Sequence, residues 1–241
     1  MGDRRGHVAG VAAACAAVLA LGACTPLGPV LSPGPYATPA VATATPASSP
    51  GDGFTHAERI ALRVWARTCD AYRNGSAWML DATHAVTNRH VIEGATVIEL
   101  TDYQGREYVG TVAEFSRTDD LGLITIEGEF PEAGVLADDE PEPGDEVVAT
   151  GFALGGPLAT LEGTFIDRRE NQLDPDGAPI YSLRMHAEEG NSGSPVTDAA
   201  GDVVGVLFSS DLDEVAGAVT LPRLAAFLAD DAPRTEVDPS C

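Results

Sequence analysis

Short apolar segments, too brief for helices and fenced by turn residues, leave this chain little choice but an all-β fold. "SAWML", "HAVTN", "TVIEL", "EYVGTVAEF" and "LGLITIE" follow one another between Ser76 and Glu127. Their β-rich content at close spacing is that of a sandwich or barrel. The run "EGEFPEAGVLADDEPEPGD" then breaks the pattern with prolines and acids, and reads as a crossing between two halves. A second group follows: "EVVATGF", "ATLEGTFI", "IYSLRM", "VVGVLFS" and "AGAVTL". Helix is expected only at the ends of this region. "THAERIALRVWARTC" carries Ile60, Val64 and Arg67 at helical spacing with Thr55 available as a cap, which predicts a short helix leading to Cys69. In "LPRLAAFLAD", Pro222 stands near a helix start and Leu224, Phe227 and Leu228 share one face.

The amino-terminal residues belong to something other than this fold. Arg4 and Arg5 precede an apolar run from Val8 to Leu21 that is too short to span a bilayer and has the shape of an export signal. It ends in "LGAC", Leu21 to Cys24, which resembles the lipobox of bacterial lipoproteins, where the cysteine is acylated and becomes the first mature residue. The alternative is ordinary signal cleavage nearby. Residues 1–23 are thus read as a signal of lipoprotein type. Residues 24–53, rich in Pro, Thr, Ala and Ser, are an extended tether that cannot bury a core, and residues 54–241 are the folded domain. The protein is expected outside the cytoplasm, membrane-anchored through Cys24 or otherwise secreted. Cys15 leaves with the signal, and Cys24 is lipidated or lost. Cys69 and Cys241 remain to form one disulfide, as export allows.

Charge removes one class of partner. Against 14 basic residues stand 37 acidic ones, for a net charge of −23. Such a surface repels a phosphate backbone, so nucleic acid is excluded. The acid excess serves solubility, or it attracts basic polypeptide segments.

One loop points to chemistry. "EEGNSGSPV", Glu188 to Val196, sets Ser192 among glycines, closes with Pro195 and runs at once into an apolar strand. A serine hydroxyl needs a base within hydrogen-bond reach, and the base needs a third group to fix its tautomer. Among the histidines, His90 in "VTNRHVIEG" stands where a strand ends and a helical turn begins, a good place from which to aim an imidazole into a cleft. "SRTDDLGLITIE" offers Asp119 and Asp120. Asp120 abuts the apolar strand and should enter the fold with it, whereas Asp119 is expected to face water. The amides of Gly190 and Ser192 can converge on the oxygen of a tetrahedral intermediate. Pro195 forbids a helix after the serine, unlike the G-x-S-x-G elbow of α/β-hydrolases.

In order, "TNRHV", "DDLGLI" and "GNSGSPV" resemble the three catalytic blocks of the chymotrypsin-fold (trypsin-like) serine proteases, in particular the bacterial glutamyl-endopeptidase and high-temperature-requirement branches. The resemblance extends from about Gly75 to Ala229. It implies two packed six-stranded antiparallel β-barrels at about 70–127 and 143–220, with a terminal helix at about 221–230. It also implies a serine endopeptidase whose base, orienting acid and nucleophile are His90, Asp120 and Ser192, and whose oxyanion hole is Gly190 and Ser192. The substrate is then a polypeptide lying along an edge through Phe208 and Ser209. A pocket has its floor near His186 and Leu207 on one wall. Glutamyl endopeptidases carry a histidine on that wall strand and a threonine five before the serine, where this chain has Leu207 and Ala187. His186 is left either to receive an acidic side chain or to pack between the barrels. Glu188 and Glu189 border the same cleft. Few residues follow Asp231, so no appended peptide-binding module is expected. No cofactor or metal is implied, and the protein is read as a monomer. The competing readings are a catalytically silent peptide-binding module and a structural envelope lipoprotein.

Overall fold

The structure, a computed structural model, describes residues 52–171, 178–210, 214–229 and 234–241. The signal, Cys24 and all but the end of the tether lie outside the described residues.

Thr55 caps the first helix with a reciprocal capping box to Glu58, but the helix, α1 (His56–Ile60), is a single turn. The chain then extends as β1 (Ala61–Thr68). This corrects the expectation of a helix running to Cys69. Leu62, Val64 and Ala66 alternate into the core with no exposed surface, a period of two that a helix cannot satisfy. Trp65 and Arg63 point the other way, onto Gly155 of the second half. The first barrel therefore begins at β1 rather than near residue 70.

After β1 come β2 (Tyr72–Met79), β3 (His84–Thr87), the helical turn α2 (Arg89–Ile92), β4 (Ala95–Asp102), β5 (Glu107–Ser116) and β6 (Gly122–Ile126). They pair antiparallel in the order β5-β4-β1-β2-β3-β6, and β5 pairs with β6 to close the barrel. The second half holds β7 (Glu146–Gly151), β8 (Ala159–Arg169), β9 (Ile180–Arg184), β10 (Pro195–Thr197), β11 (Val203–Ser210) and β12 (Val215–Thr220), closed in the order β10-β11-β12-β9-β8-β7. Helix α3 (Leu221–Leu228) follows, and β13 (Arg234–Glu236) adds to the outer edge of β5. The two closed six-stranded barrels agree with the sequence expectation.

Each barrel has its own core, and a third apolar cluster joins them. Ile60, Trp78, Val86, Leu121 and Leu123 of the first half meet Val203, Val206 and Val219 of the second, with Leu224 and Phe227 of α3 packed among them. The amphipathic face expected of α3 is thus the seal over the inter-barrel seam. Tyr181 anchors its start. The phenol donates to Glu140 at 2.7 Å and accepts the Leu221 N–H at 3.3 Å. Burial, reinforced by the Glu140 carboxylate, pushes this phenol well above the usual tyrosine range.

The carboxyl terminus returns to the first barrel. Val237 is buried among its core residues, and Cys241 bonds Cys69, with Cα atoms 5.7 Å apart. The bridge closes a loop of 172 residues, for which chain entropy allows at most about 5 kcal/mol of stabilisation. The double variant Cys69→Ala/Cys241→Ala is expected to lower the denaturant midpoint and expose the terminal strand to proteolysis. An unchanged midpoint would mean that β13 and Val237 hold the terminus unaided.

Candidate active site

Buried Val91 and Ile92 seat the α2 turn on the first barrel, which leaves the neighbouring His90 side chain half-exposed at the cleft. Arg73, from β2, closes the carbonyl end of this turn by donating Nη1 to the oxygens of His90 at 2.9 Å and Glu93 at 2.7 Å. Asp120 grips His90 at two points. Oδ1 accepts the backbone N–H at 2.9 Å and Oδ2 lies 2.6 Å from Nδ1. A carboxylate can only accept, so Nδ1 is the donor in this contact, and in the neutral ring that leaves the Nε2 lone pair to accept. Asn88 in turn donates to the Asp120 carbonyl at 2.7 Å, which fixes that residue's backbone.

Asp119 departs from expectation. Its side chain is 5% exposed, against 22% for Asp120. Arg223 of α3 holds both oxygens, at 2.8 and 2.9 Å, and Ser116 and Thr118 donate hydroxyls to the same group. The adjacent acids thus divide the work: one ties the loop to α3, the other holds the imidazole.

Ser192 sits on the tight loop before β10. Asn191 braces it from within by taking the Glu188 N–H on its side-chain oxygen at 3.0 Å, while Ser194 N–H donates to the Asn191 carbonyl at 3.0 Å. Gly193 has φ +92°, and a Cβ there would collide with the Ser76 carbonyl oxygen. Gly190 has φ +93°, and its Cβ would lie 2.6 Å from Leu154 N and Phe152 O. Both glycines are required by backbone direction and by space. Within the loop Asn191 N–H donates to Glu188 and Gly193 N–H to Leu207, whereas the amides of Gly190 and Ser192 donate to no group among the described residues.

The Ser192 hydroxyl donates to the Phe208 carbonyl at 3.4 Å, and among the described residues it makes no hydrogen bond to His90. Both side chains nonetheless line one cleft of about 430 Å³ with Gly190, Arg73 and Tyr72. A smaller pocket of about 210 Å³ lies beside Ser192, walled by Ala187, Leu207, Phe208 and Ser209 with Glu188 and Glu189 at its rim. Leu207, Phe208 and Ser209 are among the residues that line it. His186 is not: it is exposed and absent from this lining, because inward-facing positions alternate along the segment and fall on Met185 and Ala187. Arg73, Ser76, Asn88 and Arg223 were not singled out from the sequence, where nothing distinguishes them from other surface arginines and strand polar residues.

Residues 75–206 match the trypsin-like peptidase domain. The serine protease Rv3671c of Mycobacterium tuberculosis is 27% identical over 198 residues, covering 79% of this chain and 47% of that protein's length. A probable periplasmic serine endoprotease, DegP-like, from Marinomonas sp. is 30% identical over 124 residues, covering 51% and 26%. The chain thus spans about half or less of these relatives' length. The crystal structure of the Rv3671c protease in its active form superposes with a TM-score of 0.68 at 22% identity, covering 77% of this chain and 86% of the other. From the two closed barrels and the match across the His90, Asp120 and Ser192 segments, this chain belongs to the trypsin-like peptidase family.

Proposed function

We propose that this protein is an exported serine endopeptidase that cleaves polypeptides through an acyl-enzyme. The observation that carries the reading is the two-point grip of Asp120 on His90, opening onto the cleft that also holds Ser192 and two unengaged amides. Rotation about the Ser192 Cα–Cβ bond takes the hydroxyl from the Phe208 carbonyl toward His90 Nε2; such contacts commonly tighten only when substrate binds. His90 then accepts the hydroxyl proton as Oγ attacks the scissile carbonyl. Asp120 stabilises the imidazolium, and the N–H groups of Gly190 and Ser192 bind the oxyanion. His90 returns the proton to the departing amine, and water, activated by the same base, releases the acid and restores Ser192. Substrate backbone pairs with the edge at Phe208 and Ser209, with the residue at the scissile bond in the pocket beside Ser192.

A fluorophosphonate is expected to label the wild-type protein on Ser192 and to leave folded Ser192→Ala unlabelled. Ser192→Ala retains only the residual acceleration, roughly 10³–10⁴-fold over water, that binding and the oxyanion hole supply. Folded wild-type protein that neither labels nor cleaves would favour a silent peptide-binding module. Asp120→Asn should lower kcat by about 10⁴ by presenting the wrong tautomer. Asp119→Asn should instead act on stability, lowering the melting temperature with a far smaller loss of kcat. The reverse pattern would reassign the orienting acid.

Export and anchoring rest on the Arg4–Leu21 segment and "LGAC". Cys24→Ser is expected to move the protein from the membrane fraction to the soluble fraction. Retention at the membrane would rule out lipidation.

A further inference from the structure

A further cavity borders His90, and its lining carries three arginines against two aspartates, a charge opposite in sign to that of the protein. It encloses about 440 Å³, with a floor of Ile180, Phe208 and Val219 and a rim that includes Arg89, Arg117 and Arg223. Three of the 14 basic residues in a chain of net charge −23 therefore converge on one pocket.

The carboxylates of the rim already have partners. Asp120 holds His90 and Asp119 is paired with Arg223, so neither acid is paired with Arg117. Arg89 lies 3.6 Å from Glu93 and donates Nη1 to the Arg117 carbonyl at 3.3 Å. Arg117 is exposed, and its Nε donates to Thr235 at 2.8 Å. No acidic side chain among the described residues pairs with Arg117, which leaves its terminal nitrogens open to a ligand.

Phe208 and Ser209 line both this cavity and the smaller pocket beside Ser192. They stand at a bulge of β11, where the register with β12 shifts between Leu207 and Ser209. A peptide laid along this edge rises about 3.3 Å per residue and alternates its side chains. With one side chain in the Ser192 pocket, a side chain one to three residues earlier in the substrate reaches the arginine-rimmed cavity. We propose, on the basis of the endopeptidase reading, that this cavity selects an acidic side chain upstream of the scissile bond, with Arg117 as its specificity-determining residue. The apolar floor takes the methylene stem of a glutamate, and the guanidinium meets its carboxylate. The acidic rim at Glu188 and Glu189 lies on the other pocket, so the two subsites carry opposite charge, and a substrate with an acid upstream of the cleavage position meets complementary charge where a neutral one does not.

Peptide pairs differing only in Glu against Gln at each of the three positions before the scissile residue test this. Wild-type protein should cut the Glu peptide about 1.5- to 5-fold faster in kcat/KM at one position, the range for an exposed charge pair. Arg117→Gln should abolish the preference by bringing the Glu peptide to the rate of the Gln peptide, and Arg117→Glu should reverse it. Thr235→Val, which removes the tether and keeps the charge, should preserve it. Binding of the same pairs to Ser192→Ala, followed by calorimetry, gives a readout independent of turnover. If wild-type protein neither labels nor cleaves while the Glu peptide still binds more tightly, the endopeptidase reading fails and the acidic subsite stands. Equal cleavage and equal binding of Glu and Gln peptides at all three positions, or a preference that survives Arg117→Glu, would overturn the inference.

Discussion

A single buried hydroxyl joins the two barrels at the point where chemistry is proposed. Ser76, in β2 of the first barrel, has no exposed surface. Its Oγ donates to the Gly190 carbonyl at 2.8 Å and accepts the Phe152 N–H at 2.9 Å, while its backbone N–H donates to the Ser192 carbonyl at 2.7 Å. Its own carbonyl accepts the Thr87 hydroxyl at 2.7 Å, just before the turn that carries His90. Each half of the site is therefore referred to one residue. Because the groups are buried, leaving any of them unpaired costs about 1–3 kcal/mol, so the loop is held in one arrangement by the penalty on every alternative. The absent side chains of Gly193 and Gly151 belong to the same knot. A Cβ at Gly193 would strike the Ser76 carbonyl, and one at Gly151 would strike the hydroxyl of Ser194 and crowd that of Ser76.

The knot has a consequence for the oxyanion donors. A trans peptide is planar, and its C=O and N–H point in opposite directions, so fixing one fixes the other. Leu154 N–H donates to the Glu189 carbonyl at 2.6 Å, which holds the Glu189–Gly190 peptide plane and thereby the Gly190 N–H. Leu154 does this from φ 54°, a left-handed conformation costly to a residue with a Cβ, and the residue is 64% exposed. Ser76 and Leu154 act on the same loop from different barrels. Relative displacement of the barrels would therefore break the Ser76 contacts to the loop and shift the donor relative to the imidazole.

What the sequence disclosed follows the physical range of each signal. Alternation and turn residues are local, so strands such as His84–Thr87 and Gly122–Ile126 were legible to within a residue or two. The loop chemistry of Gly190, Gly193 and Pro195 was legible because backbone geometry demands those residue types. β1 was misread because Ile60, Val64 and Arg67 fall at helical spacing by coincidence, while the stronger alternation of Leu62, Val64 and Ala66 becomes decisive only with two neighbouring strands to pair with. β13 carries no apolar signal; it exists because the edge of β5 and the bond to Cys69 hold it there. Asp119 was assigned to water for a similar reason: its partner, Arg223, is 104 residues distant and meets it only once α3 has sealed the seam.

The acid excess takes on a different meaning once the fold is known. Summed over the chain it describes a uniformly negative particle, but the arginines are not spread evenly. Arg59 and Arg106 serve ion pairs that brace the first barrel, at 2.9 Å to Asp52 and 2.6 Å to Asp102, and Arg73 serves the His90 turn. Arg89, Arg117 and Arg223 gather where the second barrel's edge meets the first barrel's imidazole. A negative envelope around a locally positive cavity weakens the approach of acidic ligands at long range, while contact inside the cavity favours them. Screening by salt acts most strongly on the long-range part, because charges beyond about 10 Å are screened at 0.1 M while partly buried pairs are screened less. Selection by such a site therefore takes place at contact, in the geometry that Arg117 and the apolar floor impose, rather than in the encounter.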